Sequence, residues 1–535
     1  MDAPSSALNT NGGGVPPLIR VLLSDSACYD HPVEKIKLVE THISWVLLTG
    51  DYAYKIKKPV NLGFLDFSTL ALREQDCVDE LRLNRRLAAD IYLEVVAITG
   101  TPEAPRINGS GDIFEYAVKM RQFPPNATMD HLAERDELGN VQIDALAVRL
   151  AHFHLYECDH AQANSLWGEP DVIARPVEEN FKILVTRLDD PADRRCLEIL
   201  RSWCETEHSR LAPLMRERKK NGRVRECHGD LHLANLAWVD GRLVIFDCLE
   251  FNSALRWIDV ISEVAFCYMD LLHRKYAGLA ARFLNVWLEA SGDYQGVALL
   301  RYYAVYRALV RAKVAALRAD QGCSASRAEL VSCLQLAEQL SQPPPCQPAP
   351  PDESSRGQGQ TNRCANFMLT ITHGLSGSGK TTLTQTLLEK YGMIRLRSDV
   401  ERKRLAGLAA QAKSRSEDGL YTQQFSRRTY EHLVKLAEGL LAAGWQVVVD
   451  AAFLEREQRD LFRDLAQRLG MNFQILHIQA DPAVLLERVR LRQTAGTDAS
   501  EADLRVLEHQ LKTALPLGDD ELSATVNPFQ AGLTS

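Results

Sequence analysis

Residues 367–392 read FMLTITHGLSGSGKTTLTQTLLEKYG. An apolar run rich in β-formers, a glycine-rich turn and an amphipathic stretch follow one another. The turn spells G-x-x-x-x-G-K-T, from Gly374 through Gly379, Lys380 and Thr381. Strand, loop and helix in that order are the context in which this pattern carries a mechanism. The glycines let backbone N–H groups turn inward around a phosphate, and the following helix adds the positive end of its dipole. Lys380 is placed to reach the β- and γ-phosphates, and the Thr381 hydroxyl to hold Mg²⁺. The expected nucleotide-binding set is Gly374, Ser376, Gly377, Ser378, Gly379, Lys380, Thr381 and Thr382, with ATP and Mg²⁺ as cofactors. The fold this predicts for the C-terminal part is an α/β P-loop NTPase with a parallel sheet.

Downstream, MIRLRSDVERKRL (393–405) reads as a strand running into Asp399, with Arg402 three residues later. Both lie near the C-terminal edge of the sheet, where open α/β folds bind ligands. An aspartate there accepts the proton of an attacking hydroxyl, and the arginine orients an anionic or hydroxylated acceptor. GWQVVVDAAF (444–453) reads as a buried parallel strand ending in Asp450, where a Mg²⁺-associated carboxylate belongs, although a second acid is replaced by Ala451. LLERVRLRQTAGTDASEADL (485–504) carries Arg488 and Arg492 on one helix face before a glycine-containing segment. That suits a lid delivering arginine to the transferring phosphoryl group. Together GLSGSGKTT, SDVERK and this helix resemble the P-loop small-molecule and polynucleotide kinases, among them gluconate-kinase-like, zeta-toxin-like and polynucleotide 5′-hydroxyl kinases. The resemblance covers roughly residues 367–510. It implies Asp399 as catalytic base, Arg402 as an acceptor-binding residue and Arg488 or Arg492 as lid arginine, and it leaves the acceptor open.

The first half has its own signature, ECHGDLHLANLAWVDGRLVIFDCLEF (226–251). Asp230 is followed five residues later by Asn235, and Asp247 ends the apolar run RLVIFD. This is the spacing of a protein-kinase-like centre, in which the first Asp takes the hydroxyl proton and Asn235 and Asp247 hold Mg²⁺. H-G-D in place of H-R-D resembles the aminoglycoside phosphotransferase family, over roughly residues 36–340. That resemblance implies a β-rich lobe followed by a helical lobe, and it makes Asp259 a brace for the loop. KLVETHISWVLLTGDYAYKIKKPV (37–60) reads as three short strands with turns near His42 and Gly50. In AYKIK, Ala53 and Lys55 share a face, so Lys55 is the expected phosphate-gripping lysine, with Lys57 as runner-up. Its ion-pair partner is expected from the next helix, QDCVDELRLNRRLAAD (75–90): Glu80, or alternatively Glu74 just ahead of that stretch. THIS (41–44) stands where a protein kinase has a glycine-rich loop, and YAVKMRQFP (116–124) is the expected hinge.

At 535 residues the chain exceeds one hydrophobic core and suggests two to four domains. With 46% hydrophobic and 25% charged residues it is neither a disordered chain, a fibre nor a small disulfide scaffold. A net charge of −8 argues against a general nucleic-acid or anionic-membrane coat protein. The charge is uneven, net −9 up to residue 362 and +1 from residue 363 onward. Twelve cysteines without a CxxC pair fit a reducing cytoplasm. Residues 1–17 read as a flexible leader and 341–362, with six prolines, as a semi-extended mobile linker. The predicted organisation is a kinase-like domain at 18–340, that linker, and a P-loop domain at 363–535. AHFHLYECDHA (151–161) invites a zinc reading, but on a helix only His154 and Cys158 are neighbours, so a structural histidine is preferred. RERKKNGRVR (216–225) is taken as a solvated basic loop.

The expectation is an ATP-dependent phosphotransferase with two nucleotide sites, acting on hydroxyls of small molecules. No membrane partner is expected. A nucleic-acid 5′-hydroxyl stays a second acceptor class for the C-terminal unit, whose near-neutral charge argues against it. The alternative is one active P-loop kinase regulated by a non-catalytic kinase-like module. Acceptor identity and oligomeric state are left open.

Overall fold

The computed structural model of the protein describes residues 14–342 (except 62, 64 and 321), 368–409 and 422–527 (except 496–501 and 503). The expected leader up to residue 13 and the linker from 343 to 362 lie outside the described residues. The chain packs into two compact units, residues 1–137 with 226–258, and residues 138–225 with 259–535.

In the first unit, alternation of apolar and polar residues builds six strands: β1 (Lys37–Glu40), β2 (Ser44–Leu48), β3 (Tyr52–Lys57), β4 (Tyr92–Thr101), β5 (Ala104–Ile107) and β6 (Ile113–Arg121). They form one antiparallel sheet in the order β1-β2-β3-β6-β4-β5. The THIS turn is closed by a side chain: Thr41 Oγ1 accepts the Ser44 N–H at 2.9 Å. A tight hairpin therefore stands in place of a glycine-rich flap.

Strand periodicity divides this sheet into two faces. Leu47, Tyr54, Ile56, Val96, Ile98 and Ala117 pack on one face with Leu18, Ile19 and Leu22 of the helix Pro17–Ser24. Each such aliphatic side chain contributes about 1.5–3 kcal/mol when fully buried. The neighbouring Val118 and Tyr92 pack with Cys77 and Ala88 of helix α1 (Leu70–Ala88). Lys55 and Lys57 alternate with Tyr54 and Ile56, so both point to the α1 side. α1 meets them with a polar stripe, Arg73, Asp76, Glu80 and Asn84, all buried. On the same helix Leu83 is buried, while Leu81 and Leu87 are half-buried.

The second unit carries long helices, α2 (Pro191–Lys220), α3 (Val260–His273), α4 (Ala277–Ser291) and α5 (Val297–Asp320). The basic run at 216–225 is not the solvated loop its composition suggested. Arg216–Lys220 complete α2, and Arg218 is fully buried, donating to Asp259 and to Asp293 at 2.7 Å. Two carboxylates from separate elements make burial of that charge tolerable. Asp259 also caps α3, accepting the Ile261 N–H at 3.0 Å. His154 sits in a π-helical turn, with Nε2 2.7 Å from Glu263 Oε2 and Nδ1 accepting the Trp287 indole N–H at 3.2 Å.

The same unit contains the parallel sheet of the C-terminal half: β9 (Met368–His373), β10 (Ile394–Arg397), β11 (Val447–Asp450), β12 (Asn472–His477) and β13 (Thr525–Val526). (β7, Leu236–Val239, and β8, Arg242–Ile245, form a hairpin in the first unit.) Their order is β10-β11-β9-β12-β13, parallel throughout. Val447, Val448 and Val449 are fully buried, as strands covered on both faces require. No helix among the described residues is long and apolar enough to cross a membrane.

Candidate active sites

In the first unit the chain from His228 to His232 is an irregular loop, and a single 3₁₀ turn (Leu233–Asn235) carries it into β7. Its glycine has a geometric cause. Gly229 adopts φ +90°, and a Cβ there would lie 3.0 Å from Leu255 O and 3.2 Å from Leu249 Cβ. Arginine, as in H-R-D, does not fit this loop. The buried His228 ring holds the loop to the end of β8: Nε2 is 2.8 Å from Phe246 O, and Nδ1 accepts the Asp230 N–H at 3.3 Å. Asn235 Nδ2 donates to Asp230 O at 2.9 Å and to its carboxylate at 3.2 Å, so these two side chains are brought together.

Asp247 stands beyond β8 in the left-handed region, φ +61°, with its N–H donated to Tyr92 OH at 3.0 Å. This turn aims its carboxylate at Lys55, whose Nζ lies 2.6 Å from Asp247 Oδ1 and 2.8 Å from Glu80 Oε1. The structure thus unites Lys55, Glu80 and Asp247, while Glu74 is exposed. Burial alone would raise the Glu80 pKa, but the Lys55 and Lys57 charges overcome it and lower it to about 2.

Sequence reasoning treated Lys57 only as a substitute for Lys55, and it missed Asp76 and Glu250. Lys57 is fully buried and faces three carboxylates, Asp76 at 2.7 Å, Glu80 at 2.6 Å, and Glu250. One ammonium cannot balance them all. Burial, the largest cause, pushes Glu250 up to about 7 despite Lys57, with Glu80 adding to the rise. The sign follows from linkage: ionising Glu250 costs more folded than unfolded, so its contribution is complete below about 4.5 and is lost as pH rises through about 7. Urea unfolding of Glu250→Gln against the parent at pH 5 and pH 8 should show the variant gaining on the order of 2 kcal/mol relative to the parent at the higher pH. Parallel stabilities at both pH values would exclude a buried proton there.

In the second unit, β9 leads into the phosphate loop and then helix α6 (Lys380–Tyr391). Gly374 is required by close approach, since a Cβ would sit 2.4 Å from Ile478 O. Lys380 Nζ donates to Gly374 O at 3.0 Å and to Leu375 O at 2.7 Å, which fixes the ammonium over the loop. The Ser376 N–H is donated to Gln510 Oε1 at 2.9 Å, from helix α9 (Leu504–Thr513). Gln510 there occupies one of the loop amides; nothing in the sequence pattern signalled it. Thr381 Oγ1 donates to Asp450 Oδ2 at 2.8 Å, which joins the expected metal hydroxyl to the carboxylate at the end of β11. That donor set, like Asn235 with Asp247, is oxygen only and suits a hard cation such as Mg²⁺.

Asp399 lies in the first turn of helix α7 (Ser398–Leu405), with Arg402 buried one turn on. Both face a cavity of about 1720 Å³, which the phosphate loop, Arg427 and Arg505 also line. Arg488, on helix α8 (Pro482–Ala495), lines it too and donates to Gly377 O at 3.3 Å. The Arg492 side chain and residues 496–501 of the expected lid lie outside the described residues. The cavity exceeds the usual 300–1,000 Å³ of a small-molecule pocket. Arg395 and Arg397, two residues apart on β10, were also missed. Arg395 Nη1 donates to Thr381 O at 3.4 Å, and Arg397 Nε lies 3.9 Å from Asp450 Oδ2. The alternation in IRLR was the available signal.

Residues 369–517 match the family described as AAA domain. Over 485 residues the chain is 30% identical to the uncharacterized protein Rv2004c of Mycobacterium tuberculosis (strain ATCC 25618 / H37Rv), spanning 89% of this chain and 91% of that protein. Among solved structures, it is similar to a choline/ethanolamine kinase family protein from Mesorhizobium loti: 13% identity, 61% of this chain, 94% of the other, TM-score 0.38. It is also similar to a sugar kinase from Janibacter sp. HTCC2649: 20% identity, 30% of this chain, 84% of the other, TM-score 0.23.

Proposed function

The chain belongs to the family of the mycobacterial protein Rv2004c, and we propose that it is an ATP-dependent phosphotransferase with two nucleotide sites, each passing a γ-phosphoryl group to a small-molecule hydroxyl. One recurring arrangement supports the reading. Each site sets a phosphate-facing lysine beside oxygen ligands for Mg²⁺: Lys55 is 2.6 Å from Asp247, and Thr381 is 2.8 Å from Asp450 at the foot of the loop that Lys380 spans. On this reading the functional parts are residues 18–340 and 363–535, joined by 341–362, in a cytoplasmic protein.

In the first site Asp230 accepts the hydroxyl proton, Lys55 grips the nucleotide phosphates, and Asn235 and Asp247 hold the metal. In the second, Asp399 is the base, Arg402 orients the acceptor, Arg488 or Arg492 meets the transferring group, and Thr381 holds the metal with Asp450. Mg²⁺ would neutralise charge on the phosphates. Such transfer has little covalent chemistry for a protein to perform, so positioning and charge neutralisation carry most of the rate.

The test is label transfer from γ-labelled ATP to a metabolite pool, using the full chain, Asp230→Asn and Asp399→Asn. Two product sets, each lost in one variant only, are expected. Loss of every product in Asp399→Asn with none lost in Asp230→Asn would favour a single active P-loop kinase. Labelling of 5′-hydroxyl oligonucleotides in place of metabolites would reassign the second acceptor. No binding of ATP·Mg²⁺ by calorimetry would end the kinase reading.

A further inference from the structure

Helix α4, in the part of the chain that precedes the linker, packs along the edge strand β10 of the parallel sheet. Arg282, Asn285 and Glu289 recur at three- and four-residue spacing, so they share one helix face. Each is engaged with the P-loop domain. Arg282 Nη1 donates to Glu389 Oε1 at 2.8 Å, near the C-terminal end of α6. Asn285 behaves as a substitute strand: Nδ2 donates to Met393 O at 3.0 Å, and Oδ1 accepts the Arg395 N–H at 2.7 Å. These are edge groups that would otherwise lack a partner in the sheet. One turn on, Glu289 Oε1 accepts from Arg395 Nε at 2.9 Å and Nη2 at 2.7 Å, and its Oε2 lies 3.5 Å from Arg397 Nη1.

Arg397 therefore stands between two carboxylates, Glu289 on the helix side and Asp450 on the site side. Asp450 is the oxygen donor that receives the Thr381 hydroxyl. An arginine that closes on a carboxylate occupies the lone pairs a cation needs. We infer that Glu289 is a positioning residue of the P-loop site: by holding Arg397 from outside the sheet, it keeps the Asp450 carboxylate available to Mg²⁺. This rests on the phosphotransferase reading of that site. It adds a functional residue from a helix roughly 90 residues before the phosphate loop, outside residues 367–510 that carry the P-loop kinase motifs.

The test measures metal binding, not turnover. The full chain carrying Asp247→Asn, which disables the first metal site, is titrated with Mn²⁺ and a non-hydrolysable ATP analogue, with bound Mn²⁺ read by electron paramagnetic resonance. Adding Glu289→Gln should weaken Mn²⁺ binding roughly 10- to 100-fold, the range for loss of an outer-sphere partner. Adding Arg397→Gln to that chain should restore most of the affinity, because the competing cation is gone. Unchanged affinity in the Glu289→Gln chain would overturn the inference. So would a double variant as weak as the single, since Glu289 would then serve only to support the fold. Absence of any nucleotide-dependent Mn²⁺ site in the Asp247→Asn chain would instead overturn the phosphotransferase reading of the P-loop, and this inference with it.

Discussion

Replacing Lys380 with alanine should lower turnover at the P-loop site by about 10²–10³-fold, the effect of deleting one preorganised donor to developing charge. The ammonium is held by two carbonyls of its own loop, Gly374 O and Leu375 O, at 3.0 and 2.7 Å. It is thus placed before nucleotide arrives and needs no reorganisation at the moment of transfer. Each of these two main-chain hydrogen bonds is worth about 0.5–1.5 kcal/mol. The fold should survive. The measurement is label transfer to the Asp399-dependent products, beside thermal unfolding of both chains. The products that depend on Asp230 serve as an internal control and should be unchanged. Undiminished Asp399-dependent labelling in the Lys380→Ala chain would remove the phosphate loop from the mechanism.

Asp230→Asn should lower kcat at the first site by about 10²–10⁴-fold, the usual contribution of a positioned general base. Asparagine keeps the shape of the side chain and cannot accept the proton. Two anchors of the loop are main-chain groups that persist in the variant: Asn235 Nδ2 donating to residue 230 O, and the residue 230 N–H donating to His228 Nδ1. The loss should therefore fall on kcat, with KM for ATP nearly unchanged. A parallel rise in KM would point to a collapsed loop, and activity within about twofold of the parent would show that Asp230 is not the base.

Parts of both sites were legible because they are local. G-x-x-x-x-G-K-T and H-G-D-x-x-x-x-N depend on turns made within a few residues, where a glycine is required by a neighbouring carbonyl or a positive φ. Gly374 and Gly229 are such positions. Lys55 was legible through strand alternation, which put it on a definite face. Glu80 was legible only as one of two acids, since the stripe of α1 that faces the sheet is polar and gave no apolar signature. Arg218 was misplaced for the same reason. Six basic residues within 216–225 look solvated, and only Asp259 and Asp293, on other elements, make a buried guanidinium tolerable there.

By itself, then, the sequence determined two constellations of motif residues, their order along the chain, and the local turns that build each. The tertiary structure decided how the buried charges are partnered: Lys57 among Asp76, Glu80 and Glu250, Arg218 between two aspartates, and Arg395 and Arg397 against Glu289. The reason is physical. A turn is set by sterics over a few residues, and a strand's faces by a period of two. The partner of a buried charge is set by which distant groups share its low-dielectric surroundings, and only packing brings those together.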